Sequence, residues 1–119
     1  MKYLLLIYGE EAQWANVSDK ERDAITQEYM QFSQDIAKSG HYKGGNELQP
    51  TAKATSVRVR NGKPLVSDGP FAETKEALGG YYLVEAKDLD EAIALAARIP
   101  SVRWGTIEVR PIVPHDMPS

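Results

Sequence analysis

The densest run of chemistry-bearing side chains is VSDGPFAETKEALGG, Val66 to Gly80, which gathers Asp68, Glu73, Lys75 and Glu76 into one short stretch. A carboxylate beside a lysine is a pairing suited to acid–base work. The carboxylate takes or returns a proton, and the ammonium balances the charge that develops on a small organic substrate. Asp68 is the candidate base, given burial or a neighbour that raises its pKa. An aspartate before glycine is equally a turn-former that folds its carboxylate onto nearby amides. Glu73 and Glu76, three apart, share one face of a helical turn, which describes a solvated face as well as a proton-transfer pair. As metal ligands, two glutamates supply too few oxygens for a hard cation.

The residues around these carboxylates point to a built turn. Gly69 permits unusual φ values, Pro70 suits the first turn of a helix and Gly79 suits its stop, so one or two helical turns are expected over 70–78. Phe71 is a large apolar anchor in polar surroundings, suited to packing, to plugging a subunit interface or to stacking on a ligand. Lys75 can meet a substrate carboxylate or a neighbouring acid. Arg58, on the polar side of an alternating segment, could receive an anion or pair with Glu108 across strands. His41 follows Gly40 at a helix end, where the helix dipole favours a cation, and it is the one histidine placed for catalysis. His115 lies in the proline-flanked tail. The candidate catalytic set is therefore Asp68, Glu73, Lys75 and His41, and the candidate ligand-binding set is Phe71, Glu76, Arg58, Gly69 and Pro70. Two distant histidines and no cysteine give no metal-ligand spacing, so neither metal nor cofactor is expected. Gly44-Gly45 lacks the Lys-Ser/Thr of a phosphate loop.

The elements that must hold these groups follow from periodicity. Lys2 to Tyr8 is a short apolar run ending at Gly9, a buried strand. Glu10 to Val17 has no period and is expected as loop. Ser18 and Glu21 form a capping box opening a helix whose inner face is Ala24, Ile25, Tyr29, Phe32 and Ile36, stopped by Gly40. Thr55 to Arg60 alternates as a strand, Asn61-Gly62 is a type I′ turn, and Lys63 to Ser67 returns. Tyr81 to Ala86 is a further apolar strand. Asp88 and Glu91 cap a helix with an apolar face of Leu89, Ala92, Ile93, Ala96 and Ala97, closed by Pro100. Thr106 to Ile112 is the last strand, with Ile107 and Val109 opposite Glu108 and Arg110. Strand, helix, strand, strand, helix, strand predicts a ferredoxin-like α+β sandwich, βαββαβ, in a single domain over 1–112 with a flexible tail over 113–119. Helices on one side leave the other sheet face bare. Leu4, Ile7, Tyr81 and Leu83 are expected to make that face apolar, so a homodimer through it is expected.

Composition agrees. The 119 residues are 42% hydrophobic and 26% charged with net charge −3, an ordinary soluble domain and a poor match for nonspecific nucleic-acid binding. The apolar run Leu4 to Ile7 cannot cross a bilayer and is no secretory signal. No membrane or nucleic-acid partner and a cytoplasmic location are expected.

The run Asp68 to Glu76, DGPFAETKE, closely resembles the signature of the DGPF group within the YCII-related (YciI-like) family. Gly44 to Pro50, Leu78 to Tyr82, Asp88 to Ala92 and Ile107 to Pro111 are similar to that family as well, so the resemblance spans Lys2 to about Ile112. It implies a ferredoxin-like protomer in a dimeric α+β barrel, and a gene neighbourhood that often includes extracytoplasmic-function sigma factors. Wider relatives place a histidine, proposed to act with an aspartate, on the first long helix. Tyr29 stands at that position here, so the His/Asp pair does not carry over. Two readings follow: acid–base catalysis on a small organic substrate beside the DGPF loop, or a non-catalytic module that binds a metabolite or a partner linked to sigma-factor regulation.

Overall fold

The computed structural model describes residues 1–115. Of the tail expected over 113–119, residues 116–119 lie outside the described residues, and 113–115 carry no regular secondary structure. The chain runs β1 (Lys2–Gly9), α1 (Glu11–Ala15), α2 (Asp19–Lys38), β2 (Tyr42–Glu47), β3 (Thr55–Arg60), β4 (Lys63–Asp68), β5 (Ala77–Glu85), α3 (Leu89–Ala96) and β6 (Thr106–Pro111). A four-stranded antiparallel sheet has the order β2-β5-β1-β6, and β3 pairs only with β4. This mixed α+β architecture is compatible with the ferredoxin-like arrangement.

The apolar β1 sits between β5 and β6, where its residues are flanked by strands on both sides. Tyr3 and Leu5 on β1, Tyr82 and Val84 on β5, Phe32 and Ile36 on α2, and Ala92, Leu95 and Ala96 on α3 form one core, with Ile99 beyond α3. Leu5, Ile36, Val84 and Ile99 are the largest fully buried side chains, each worth about 1.5–3 kcal/mol of burial. Both capping expectations hold: Ser18 Oγ accepts from the Glu21 amide at 3.1 Å, and Asp88 Oδ1 from the Glu91 amide at 2.9 Å. Helix α2 ends as expected, with Gly40 at φ 85°.

Five expectations are corrected. The second sheet strand is β2, not Thr55 to Arg60. Its sequence YKGGNE shows no strand pattern because two glycines give no side chains to a pattern, and Gly45 lets the chain approach β5 closely: a Cβ there would stand 2.9 Å from the Tyr81 carbonyl oxygen and 3.0 Å from the Tyr82 ring. Helix α1 occupies part of the segment expected as loop. Residues 70–76 form bends, not helical turns, and β5 starts at Ala77, so Gly79 lies within a strand. In α3 the buried stripe is Ala92, Leu95 and Ala96, whereas Leu89 and Ile93 are about half exposed, so the inner face is rotated from the expected one. Ile7 also changes sides. It opposes Ile107 and packs against the core, while Leu4, Leu6, Tyr81 and Leu83 share the other face. Leu6 is buried yet stands outside the core cluster.

The chain leaves the sheet after β2 and re-enters at β5, and the excursion is the β3–β4 hairpin with its approach segments. The Asn61-Gly62 turn is as expected, with φ 52° and 75°, the mirror-image turn that matches strand twist. At the hairpin's base the Gly69 amide donates to the Ala54 carbonyl at 2.7 Å, and Ser56 Oγ to the Gly69 carbonyl at 2.7 Å.

Candidate functional site

A shallow cleft of about 410 Å³ lies where the returning segment passes over α1. Glu11 and Thr51 form one wall, and Gly69, Pro70, Glu73 and Thr74 the other. Each wall is fixed by local chemistry. Glu11 lies in the first turn of α1, and its carboxylate accepts from the Thr51 amide at 2.9 Å and from the Thr51 hydroxyl, so α1 clips the short 3-10 turn Thr51–Lys53. Those bonds hold the Glu11 carboxyl below the ordinary value of 4.5. Gly69 takes φ 94°, a left-handed conformation that redirects the chain out of β4. Thr74 Oγ1 donates to the Glu76 carbonyl at 2.6 Å, and Lys75 Nζ stands 3.5 Å from Glu10 Oε1, which ties the loop down beside the start of α1.

The candidate residues do not all meet here. Glu73, Gly69 and Pro70 line the cleft. Asp68 closes β4 opposite Thr55, is exposed, and receives no side-chain hydrogen bond among the described residues; Ser56 makes the bond at the base of the turn in its place. Lys75 faces Glu10 and solvent. Phe71, 81% exposed, anchors nothing within its own chain. Glu76, half-buried, and Arg58, exposed on β3, do not line the cleft. Glu108 pairs with Arg110 at 2.6 Å on the same strand, so the cross-strand partner expected for Arg58 is engaged elsewhere.

His41 lies at the opposite end of β2 from the excursion, a strand-length of about 20 Å. Its amide donates to the Ile36 carbonyl at 2.9 Å, while its ring meets Ser39 Oγ at 2.6 Å through Nδ1 and Glu91 Oε1 at 3.1 Å through Nε2. It joins the end of α2 to the start of α3. Tyr29 is bonded to Ser101, and burial raises its phenol's pKa. Tyr82 donates to or accepts from Ser33 at 2.7 Å and is likewise raised by burial. Both are neutral phenols tying helix α2 to what lies beneath it. Among the described residues no Asp, Glu, Lys, Arg or His is buried, and no three His, Asp or Glu converge as a metal-binding group.

Glu11, Thr51 and Thr74 are the polar lining residues that sequence reasoning passed over. Glu11 sits in a segment without periodicity, and only the acidic pair Glu10-Glu11 at a helix start hinted at it.

An α+β sheet with this excursion and loop defines the class, and comparison places the chain within it. Residues 1–116 match the YCII-related domain. An uncharacterised protein of Rhizobium meliloti (strain 1021) is 33% identical over 124 residues, with 100% of both chains covered. The chain belongs to the YCII-related family.

Proposed function

We propose that this chain is a dimeric binding module that takes a small polar organic molecule in the cleft between α1 and the 69–74 loop. The observation that carries the reading is the cleft itself: it is drawn from three separate segments, around Glu11, around Thr51 and over 69–74, held by Thr51 on Glu11 and by Lys75 beside Glu10. The groups it offers are the carboxylates of Glu11 and Glu73 and the hydroxyls of Thr51 and Thr74, which favours a ligand rich in hydrogen-bond donors, such as an amine. The acid–base reading draws less support, because Asp68, Lys75 and His41 lie outside the cleft and no carboxylate lining it is buried. The half-buried apolar side chains Leu4, Tyr81 and Leu83, on the sheet face away from the core, support pairing of two copies through that face, as in a dimeric α+β barrel.

The test is a thermal-shift screen of amine-bearing and neutral metabolites on the wild type and on Glu73→Gln. A binder raises Tm in proportion to the logarithm of its concentration over Kd. The expected result is a stabilising amine whose effect is cut by Glu73→Gln. Stabilisation that is indifferent to Glu73, or none from either class, overturns the reading.

A further inference from the structure

The excursion that frames the cleft carries a second feature. In the β3–β4 register Val57 opposes Val66 and Val59 opposes Pro64, so these four side chains share one face of the hairpin. That face is bare: Val57 is 62% exposed, Val59 59% and Val66 66%. Leu65, opposite Arg58, lies on the other face with Arg60 and Lys63. An isolated two-stranded hairpin is marginal in water, and an uncovered valine face adds to the liability.

The dimensions say how much surface is uncovered. A compact chain of this length has a radius of gyration of about 13.5 Å, whereas this one has 16.4 Å and is a slab 20 Å thick and 48 × 46 Å across. Its exposed area is 8725 Å², about 2,300 Å² more than a compact protein of 13.2 kDa presents. A standard protein–protein interface needs only about 800 Å² from each partner. Charge points the same way. The hairpin, Thr55 to Asp68, holds Arg58, Arg60 and Lys63 against the single acid Asp68, so it carries +2 of the chain's net charge of −3 and leaves −5 on everything else. A cationic arm and an acidic body attract when they belong to two copies of one chain.

We infer that the β3–β4 hairpin is an arm that docks its Val57/Val59/Val66 face on a second copy of this chain. The inference takes the pairing of two chains from the proposed function and adds the arm as a distinct part of the seam. Symmetry makes the contact reciprocal, each copy giving one arm and receiving one.

Sedimentation equilibrium of the full chain tests it with Val57→Lys/Val66→Lys, Leu65→Lys as the opposite-face control, and Leu83→Lys on the sheet face. The double variant adds cations, so it strengthens attraction to an acidic body and weakens only an apolar contact. The expected result is a dimer dissociation constant raised at least about tenfold, some 1.4 kcal/mol, by the double variant and little changed by Leu65→Lys. A photo-crosslinking residue at position 59 should join two chains, and circular dichroism verifies that each variant is folded. A wild-type dimer unaffected by the double variant, with no cross-link from position 59, overturns the arm and leaves the sheet-face pairing standing. A dimer lost in Leu83→Lys and retained in the double variant does the same. A monomeric wild type removes both.

Discussion

Glu11 carries the most local consequence of the site. Its carboxyl is held below the usual 4.5 by the Thr51 hydroxyl first and the Thr51 amide second. A group whose folded pKa is depressed contributes stability that is present above its unfolded value and is lost as pH falls through the folded one. The Thr51 amide resonance should therefore titrate with a midpoint below 4.5, and in Glu11→Gln that titration should vanish. A midpoint at or above 4.5 would mean the clip is not formed. Tyr29 and Tyr82 give the opposite limb. Burial raises both, so the folded state keeps protons that the unfolded chain releases above about pH 10, and stability falls as pH rises beyond that value. Glycine makes a sharper test of packing. A Cβ on Gly105 would stand 2.2 Å from the Tyr8 carbonyl oxygen, so Gly105→Ala must displace backbone and should cost at least about 1–3 kcal/mol in urea unfolding. Gly9→Ala, with nothing within 4 Å, is the control and should lose far less.

At the scale of elements, what could be read in advance was whatever announces itself through side-chain pattern or capping chemistry. Ser18 with Glu21, Asp88 with Glu91, Gly40, and Asn61-Gly62 each do their work locally, and each is found where its type demands. Replacing Asp88 by alanine should cost about 1 kcal/mol of stability, and the loss should show in thermal unfolding of the full chain. Strand β2 was hidden for the converse reason. Gly44 and Gly45 contribute no side chain to a pattern, and what makes them a strand is pairing with β5, which Gly45 lets in closely. The same holds for the site. Gly69, Pro70 and Glu73 were legible as a built turn, but Glu11 and Thr51 reach the cleft only through a tertiary contact forty residues apart in sequence. Pro70 and Gly79 resemble helix signals taken singly. Tertiary pairing of Ala77 to Gly80 with β1 and β2 overrides them, since a strand there completes the sheet.

At the scale of the whole molecule, the sheet has one face covered by α2 and α3 and one that these helices leave uncovered. Leu4 opposes Leu83 on that face, both half-buried, and the buried Leu6 opposes half-buried Tyr81, with Glu108 and Arg110 alongside on β6. Helices α2 and α3 cannot reach it, because the core they complete lies on the other side. If the proposed pairing uses that face, stability should depend on how many copies are present, since folding and pairing would then draw on the same surface. For a dimer that unfolds to two chains, each tenfold rise in concentration adds about 1.4 kcal/mol, and for some 240 residues unfolding together that moves Tm by about 3 °C. Thermal unfolding across two decades of concentration should show that slope in the wild type. Leu83→Lys places an ammonium on the face proposed for pairing and should flatten that slope while leaving the core untouched, because Leu83 points away from the Phe32–Tyr82 contact. A wild-type Tm indifferent to concentration would show that the open face stays with solvent, and a slope retained in Leu83→Lys would move the seam elsewhere on the molecule.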